Sequence, residues 1–414
     1  SYTGMILVLN GILMLLPLLV ILFEPRDAHH SPAFLVPALI QIFFGMVARK
    51  VFKHHTHTPL TIKEGGVIVV ISWVIVILFS AWPLKSIMNI NFSHAVFESV
   101  SGWTTTGLSI LDVAKTCPPV LFWRSLMQLA GGAGLAIIMM SAIVRSTGVS
   151  IAAAEGKTDQ LVPHVRESAR LVLVIYLVYM IAGVIAYKLA GMNWFDSVNH
   201  SFAAISTGGF STKAASIGHW NSVAVEAVSI PLMILGNLSF VTAWMMWRGK
   251  IKYVLRNGEV RLLLVLIPLA VSLAFFLTTQ GLYPHLGKAV RVAVFDTISA
   301  LTTTGFQTVD YGNWNGSGIF ILVILMLIGG GTYSTAGGIK QFRIYLVWKL
   351  MLWEIKRFFL PRTAIVVYPF QEGERIVQIT PAFVRQIIAF ITIYLFLYVC
   401  GVLVLCASGF TLEK

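Results

Sequence analysis

A thirteen-residue stretch occurs three times in this chain, and the repetition constrains the fold more than any other feature of the sequence. The copies are Val96–Leu108 (VFESVSGWTTTGL), Val198–Phe210 (VNHSFAAISTGGF) and Val294–Phe306 (VFDTISALTTTGF). Laid over one another, they put Gly107, Gly209 and Gly305 in one column, with Glu98, His200 and Asp296 in a second column nine residues earlier. The glycines are 102 and 96 residues apart. Solenoid repeats run about 20–50 residues, so this period suits a duplicated module of two long helices with an insertion between them. Each copy reads as a short helix running into a Thr-rich strand that ends at the glycine.

Composition sets the medium. The 414 residues are 57% hydrophobic and 11% charged, against about 25% charged in an ordinary soluble domain. Several windows of about 20 residues carry almost no charge, enough to cross a bilayer core of ~30 Å as a helix. The expected fold is an all-α polytopic membrane protein of repeated modules, each with a re-entrant insertion between two spans.

An N-terminal pair of transmembrane helices fills 1–63, with spans Gly4–Phe23 and Phe34–Val51. The first module, 64–148, has spans Gly65–Trp82 and Val120–Val144 around the insertion Ser93–Leu108. The second, 149–250, runs Arg170–Leu189, Trp194–Phe210, Val223–Trp247. The third, 251–360, runs Val260–Thr279, Lys288–Phe306 and an interrupted helix, Ile319–Leu352. Residues 361–414 read as a linker and the first span, Phe383–Cys406, of a fourth module, ending at Lys414 where its insertion is due. Beginning at Ser1 rather than Met, the sequence reads as a trimmed chain. Tyr2–Phe23 lacks a basic flank and a small-x-small cleavage site, so it reads as a true span rather than a signal peptide.

Charge tests this topology. With the N-terminus in the cytoplasm, the inside segments 49–63, 145–170, 248–261 and 340–385 hold 21 of the 30 Lys and Arg residues. That bias accounts for the net charge of +13 as the positive-inside rule, without any nucleic-acid surface. It holds only if each insertion returns to the side from which it entered.

Non-helical backbone at membrane depth is tolerated where it is buried in protein or lines a water-filled cavity. Three repeated turns around one axis would present rings of carbonyl oxygens, the ligands that replace the hydration shell of K⁺. Glycine permits the backbone angles that turn successive carbonyls inward. Stiff, strand-favouring threonines add uncharged acceptors, and the negative C-terminal end of each short helix favours a cation. The candidate ion-binding residues are Thr105, Thr106 and Gly107, then Thr207, Gly208 and Gly209, then Thr303, Thr304 and Gly305. The implied substrate is a dehydrated K⁺ ion, with no organic cofactor.

A second stretch, Gly329–Lys340 (GGGTYSTAGGIK), interrupts an apolar run. Glycines at 329, 330, 331, 337 and 338, mixed with Thr332, Ser334 and Thr335, cannot form an ordinary helix middle, where each Gly costs about 1 kcal/mol. The Walker pattern of a phosphate-binding loop is absent. A static kink at a packing contact and a movable segment both fit the residues.

Together TTTG at Thr104–Gly107, STGGFST at Ser206–Thr212, TTTGF at Thr302–Phe306 and GGGTYSTAGGIK resemble the Trk/Ktr/HKT superfamily of potassium transporters, most of all its TrkH branch with two extra N-terminal spans. The resemblance covers nearly the whole chain. It implies four modules around one pore, each giving a filter glycine. The residue at 107 is of the K⁺-favouring kind, since members with serine there favour Na⁺. It also implies a gate at Gly329, Gly330, Gly331, Thr332, Ser334, Thr335, Gly337, Gly338 and Lys340, a homodimer with one pore per protomer, and a cytoplasmic nucleotide-binding ring of the TrkA/KtrA kind docking on the basic inside segments. The expected function is K⁺ uptake across a bacterial inner membrane. The alternatives are a Na⁺-permeable or Na⁺/H⁺-coupled symporter of the same fold, or a non-channel secondary transporter.

Other residues point elsewhere. Glu98, His200 and Asp296 are expected near the start of each short helix, where an anion suits the dipole, or as direct ion ligands. Arg124 is expected to snorkel to the interface, and Trp73, Trp82, Trp123, Trp244 and Trp247 to form an aromatic belt. His29 and His30 fall on the opposite side of the membrane from His54, His55 and His57, so no shared metal site is expected. Cys117, Cys400 and Cys406 form no disulfide framework. Motifs HExxH and GxSxG and paired intramembrane carboxylates are absent, which excludes the common membrane-enzyme chemistries. Substrate-binding transporters often carry inverted repeats, whereas these copies share one orientation. A purely structural subunit leaves the triple repeat unexplained.

Overall fold

The computed structural model describes residues 2–52, 62–133, 165–359, 361, 369–372, 375–378 and 381–409. The His54–His57 run, the end of the expected span Val120–Val144 and most of the inside segment 145–170 lie outside them.

Among the described residues six helices are long and apolar enough to cross a bilayer: Thr3–Phe23, Pro25–Val51, Gly66–Met88, Arg170–Leu189, Gly258–Leu282 and Pro381–Ala407. Leu19, Phe43, Phe44, Leu264, Phe276 and Phe396 lie exposed on them, while Asn10, Gln41, Ser72 and Ser80 are buried. An apolar outside over polar buried positions is the arrangement a lipid solvent selects. The main departure from an all-helical chain is a short antiparallel hairpin, Pro369–Glu372 with Arg375–Gln378, in the linker before the last span.

The described chain forms two compact units: Ser1–Phe240 with Thr304–Asp310, and Val241–Thr303 with Tyr311–Lys414. In the first unit the N-terminal strand of the bundle is α1 (Tyr2–Leu15) and α2 (Pro17–Phe23), broken where Pro17 has no N–H to donate. Helix α1 packs on α3 (Ser31–Val51) through small residues. A Cβ on Gly45 would lie 2.5 Å from the Gly4 carbonyl oxygen, and one on Gly11 2.8 Å from that of Ala38. Between these contacts the Asn10 amide donates to Gln41 Oε1 at 2.7 Å. Small residues that let backbones approach, with one polar pair as glue, are how helices associate without a hydrophobic effect.

Helix α4 (Ile62–Met88) leads into the short α5 (Phe92–Trp103), and α6 (Pro118–Ala133) follows the first repeat turn. Trp103 and Trp123 meet at Ser80, donating to its hydroxyl at 2.9 Å and its carbonyl at 3.2 Å. Trp123 is therefore core, not belt, which corrects that part of the expectation; Trp82 is exposed. Helix α7 (Val165–Leu189) precedes the second short helix, α8 (Trp194–Ile205). At 12 residues each, α5 and α8 are about 18 Å long and too short to cross.

The span expected at Val223–Trp247 is not straight. It is α9 (Val223–Asn237) and α10 (Phe240–Trp247), bent by 112°. Leu238 is extended, with ψ 145°, and ends the ladder. Asn237 and Ser239 flank it, residues whose side chains favour breaks over helix interiors.

In the second unit, α11 (Ile251–Arg256) leads into α12 (Gly258–Ala274), which continues through a π turn at Phe275–Thr279. Asn315 accepts from Gly318 N–H to cap α14 (Gly316–Ile328) and donates to the Leu277 carbonyl at 2.6 Å, tying that cap to the π turn. The third short helix is α13 (Leu286–Leu301). The expected interruption is present: α14 stops at Ile328 and α15 (Gln341–Phe358) starts after the Gly-rich loop. The last helix, α16 (Pro381–Ala407), meets α15 through Ile387, Leu346 and the Arg343 guanidinium, 3.8 Å over the Phe390 ring.

The α1–α3 contact gives a two-signed test. Gly45→Val inserts atoms into the Gly4 backbone, and detergent melting should show a loss of about 1–3 kcal/mol. Gly66→Ala, where a Cβ meets nothing within 4 Å, should be neutral or stabilising by up to about 1 kcal/mol.

Candidate functional site

The three short helices end in the same way. In the first, Thr105 N–H donates to the Gly102 carbonyl at 3.2 Å and Thr106 N–H to that of Ser101 at 3.0 Å. In the second, Thr207 N–H reaches Ala204 O at 3.1 Å and Gly208 N–H reaches Ala203 O at 2.9 Å. This pair of bonds is the Schellman closure, which needs a left-handed residue just past the cap. Glycine usually fills that position, but here it is threonine, with φ 55° at Thr105, 50° at Thr207 and 53° at Thr303. Thr303 N–H likewise reaches Ala300 O at 3.0 Å. These threonines are not strand residues, which corrects the reading of an extended Thr run. The helix closure overrides their β-branched preference. Left-handed backbone at a β-branched residue is a genuine outlier, and strain of this kind gathers at functional sites.

Two residues on, Gly107, Gly209 and Gly305 have φ 81°, 76° and 83°. In the first unit their segments lie side by side. A Cβ on Gly107 would be 2.2 Å from the Gly208 carbonyl oxygen, and one on Gly209 2.1 Å from that of Thr304. On Gly305 it would meet nothing within 4 Å. Each of the first two glycines thus makes room for a carbonyl of the next copy, and only glycine fits both the angle and the gap. Close approaches of the same kind seat the short helices. Gly131 of α6 abuts the Trp103 carbonyl, and Gly236 of α9 that of Ile205.

Side chains brace the turns from behind. Gln128 donates to the Gly208 carbonyl at 2.6 Å and accepts from Phe210 N–H at 3.1 Å, an amide clamp across Gly209. Among the threonines, Thr207 hydroxyl donates to the Ser206 carbonyl at 2.7 Å and the Thr104 and Thr106 hydroxyls pair at 2.7 Å. Thr207 and Thr304 are buried, whereas Thr106 and Gly305 are exposed.

The second repeat column has a different place and role from either expected. Glu98 and His200 lie in the middle of α5 and α8, not at their starts. Each holds the chain that leaves its own turn. Glu98 accepts from the Ser109 hydroxyl at 2.9 Å and Ile110 N–H at 3.1 Å. His200 Nε2 pairs with the Ser211 hydroxyl at 2.8 Å and Nδ1 with the Asp196 carbonyl at 2.8 Å. In the second unit Asp296 accepts from the Tyr311 hydroxyl at 2.9 Å. An acceptor nine residues before each glycine therefore ties down the exit segment beyond it. This explains why a histidine can share the column with two carboxylates.

Arg124 does not snorkel. It is 2% exposed and pairs with Glu98 at 2.7 Å, because the Glu98 carboxylate would otherwise be a lone buried charge. Outside the spans, the hydrogen-bonded Lys115 ammonium holds the Asp112 carboxyl below its usual range, and burial pushes the Cys117 thiol up. Cys117, Cys400 and Cys406 are free thiols. Among the described residues no three His, Cys, Asp or Glu side chains converge for a metal ion.

In the second unit the Gly-rich segment is a pinched loop. Its neck is closed by Gly330 N–H to Gly337 O (3.1 Å), Ile339 N–H to Leu327 O (2.9 Å) and Gln341 N–H to Gly330 O (2.8 Å). Gly329 and Gly338, with φ 68° and 82°, allow the two arms to touch, since a Cβ on Gly338 would lie 2.5 Å from Gly329 Cα. Those two glycines serve the close approach of the arms. Within the loop Ser334 donates to the Gly331 carbonyl at 2.5 Å and Lys340 Nζ to that of Ala336, while Thr335 is buried. Outside groups hold it too. Buried Glu259 accepts from Thr332 N–H at 2.7 Å, Thr303 from Gly337 N–H at 2.7 Å, and the Gln341 amide donates to Gly329 O at 3.0 Å.

Sequence reasoning missed Gln128, Glu259 and Gln341. A lone glutamine or glutamate on an apolar helix is the available signal, since burying one demands a partner.

A profile of the TrkH family, described as cation transport protein, matches residues 30–412. The chain is 32% identical to the Trk system potassium uptake protein TrkH of Halomonas elongata over 327 residues, 76% of this chain and 67% of that protein. It is 31% identical to the Trk system potassium uptake protein TrkH of Vibrio parahaemolyticus over 424 residues, 98% of this chain and 85% of that protein. The crystal structure of the potassium transporter TrkH from Vibrio parahaemolyticus superposes with a TM-score of 0.85 at 29% identity, covering 98% of this chain and 85% of that one.

The amide clamp yields a direct prediction. Gln128→Leu leaves the Gly208 carbonyl and the Phe210 N–H buried without their partner, at about 1–3 kcal/mol each. Detergent melting should register that loss, and Gln128→Glu should not rescue it, because a carboxylate cannot donate to the carbonyl.

Proposed function

This chain belongs to the TrkH family of cation transport proteins, transporters rather than enzymes, and is a multi-pass membrane protein; we propose that it takes up K⁺ through a selectivity filter formed by its three repeat turns. The observation that carries the reading is the glycine column, three residues at equivalent positions with φ between 76° and 83°. Relatives named as potassium uptake proteins support K⁺ as the substrate.

An entering ion would exchange water for main-chain carbonyls around Thr105, Thr106 and Gly107, Thr207 and Gly209, and Thr303, Thr304 and Gly305. The Gly208 carbonyl, already engaged by Gln128, serves in the wall. The C-terminal ends of α5 and α8, which carry partial negative charge, favour a cation beside them. No residue carries a charge at the turns themselves, so the ion's charge is met by dipoles that need not reorganise.

The Gly-rich loop, residues 329–340, is proposed as the gate. Its neck is hydrogen-bonded shut, so it would move as one body released from its outer holds at Glu259 and Thr303. The proposed orientation has the N-terminus in the cytoplasm of a bacterial cell. A nucleotide-binding ring would then meet the basic segments at 145–170, 248–261 and 340–385, and the chain would work as a homodimer.

⁸⁶Rb⁺ flux into proteoliposomes tests the filter. A Cβ at Gly305 meets no neighbour, so Gly305→Ser perturbs the left-handed backbone without a packing clash. It should abolish K⁺ preference over Na⁺; flux and competition unchanged from the parent would reject the filter, and Na⁺ flux equal to Rb⁺ flux in the parent would favour a Na⁺-permeable transporter of this fold. For the gate, Glu259→Gln weakens a charge-assisted hydrogen bond while keeping shape. Basal flux should rise severalfold, and an unchanged basal flux would remove Glu259 as a hold on the loop.

A further inference from the structure

Arg124 touches both of the first two repeat turns. Its Nε donates to Glu98 at 2.7 Å, and one terminal nitrogen donates to the Ser109 hydroxyl at 2.8 Å, two residues past Gly107. The other terminal nitrogen donates to the Ser211 carbonyl at 3.5 Å, two residues past Gly209, and the guanidinium carbon stands 4.0 Å over the Phe210 ring. One planar group thus spans the exits of two turns, at equivalent positions in the repeat. Ser109 is in turn held by Glu98, and Ser211 by His200.

The join between the second and third turns is made differently. There Gly218 N–H donates to the Gln307 carbonyl at 3.0 Å, and Gln307 N–H reaches the Ser216 hydroxyl at 3.4 Å. These two bonds are between neutral groups, whereas the first join carries the Glu98–Arg124 pair.

We infer that Arg124, oriented by Glu98, is a positioning residue that fixes the separation of the first and second turns and thereby sets the preference for K⁺ over Na⁺. The inference rests on the filter reading above. Its logic is geometric. A buried cation beside a cation path would repel the substrate, but the adjacent carboxylate cancels the charge, leaving the fork of donors as what the pair contributes. Lysine carries the same charge as a single point and cannot bridge three acceptors at fixed angles. Loss of the bridge frees the second exit, widens the range of carbonyl spacings, and lets the smaller Na⁺ find ligands.

The test uses the full chain in proteoliposomes, with ⁸⁶Rb⁺ uptake measured against rising Na⁺. Arg124→Lys keeps the charge balance and should lower the Na⁺ concentration that halves uptake by about tenfold, the scale of losing charge-assisted hydrogen bonds. The double variant Glu98→Gln with Arg124→Gln removes both charges together and should lose selectivity equally, so it serves if the lysine variant does not fold. A second readout is the difference in melting midpoint between K⁺ and Na⁺ buffers, which should shrink in both variants; a merely structural role would lower both midpoints together. Parent-like Na⁺ competition in either folded variant overturns the inference. Failure of the filter reading is separate: there Gly305→Ser would leave competition unchanged as well, whereas failure of this inference alone leaves the Arg124 variants parent-like while Gly305→Ser still loses the K⁺ preference.

Discussion

A main-chain carbonyl lying where a neighbour's Cβ would be is the contact on which the centre of this molecule depends. The Gly208 carbonyl occupies that place at Gly107 and the Thr304 carbonyl at Gly209. A Cβ at either position would lie 2.1–2.2 Å from that oxygen, closer than any side chain allows. The strained threonines follow from the same demand. Each short helix has to stop within one residue and turn its chain toward the next copy, and the Schellman closure does so with a left-handed residue. The strain persists because the surroundings over-determine it: Gln128 clamps the second turn, and the column of Glu98, His200 and Asp296 fixes the exits.

Around this centre the chain is turned inside out relative to a soluble protein. Phenylalanines and leucines face outward, and the groups hardest to bury are inside and paired. Glu98 and Arg124 illustrate the rule, since either alone would be an uncompensated buried charge, costing several kcal/mol. Small residues do the work that large apolar ones do in water: Gly4 on Gly45, Gly131 on Trp103 and Gly236 on Ile205 each bring two backbones to contact. Such contacts gain dispersion without relying on a hydrophobic effect that lipid does not supply.

Much of this was legible in the residues themselves. The repeat gave the glycine column, and the requirement for left-handed φ at Gly107, Gly209 and Gly305 followed from the residue type. The run of five glycines in 329–340 marked the break between α14 and α15. Side-chain partnerships over long separations were not legible, because single-chain periodicity says nothing of what a helix meets. Arg124 near a helix end looks like an interfacial arginine until Glu98, 26 residues away, is seen beside it. The bend after Asn237 was hidden in an unbroken apolar run, and the left-handed threonines contradict their own strand propensity. In each case tertiary context overrode a local preference.

The central claim is that the three glycine turns together bind the transported cation. Anomalous diffraction from crystals grown in Rb⁺ or Tl⁺ tests it most directly. The account predicts a peak bounded by the carbonyls next to Gly107, Gly209 and Gly305, exchanged by K⁺ and weakened in Gly305→Ser. Ordered ions bound only elsewhere, with the turns empty, would contradict it.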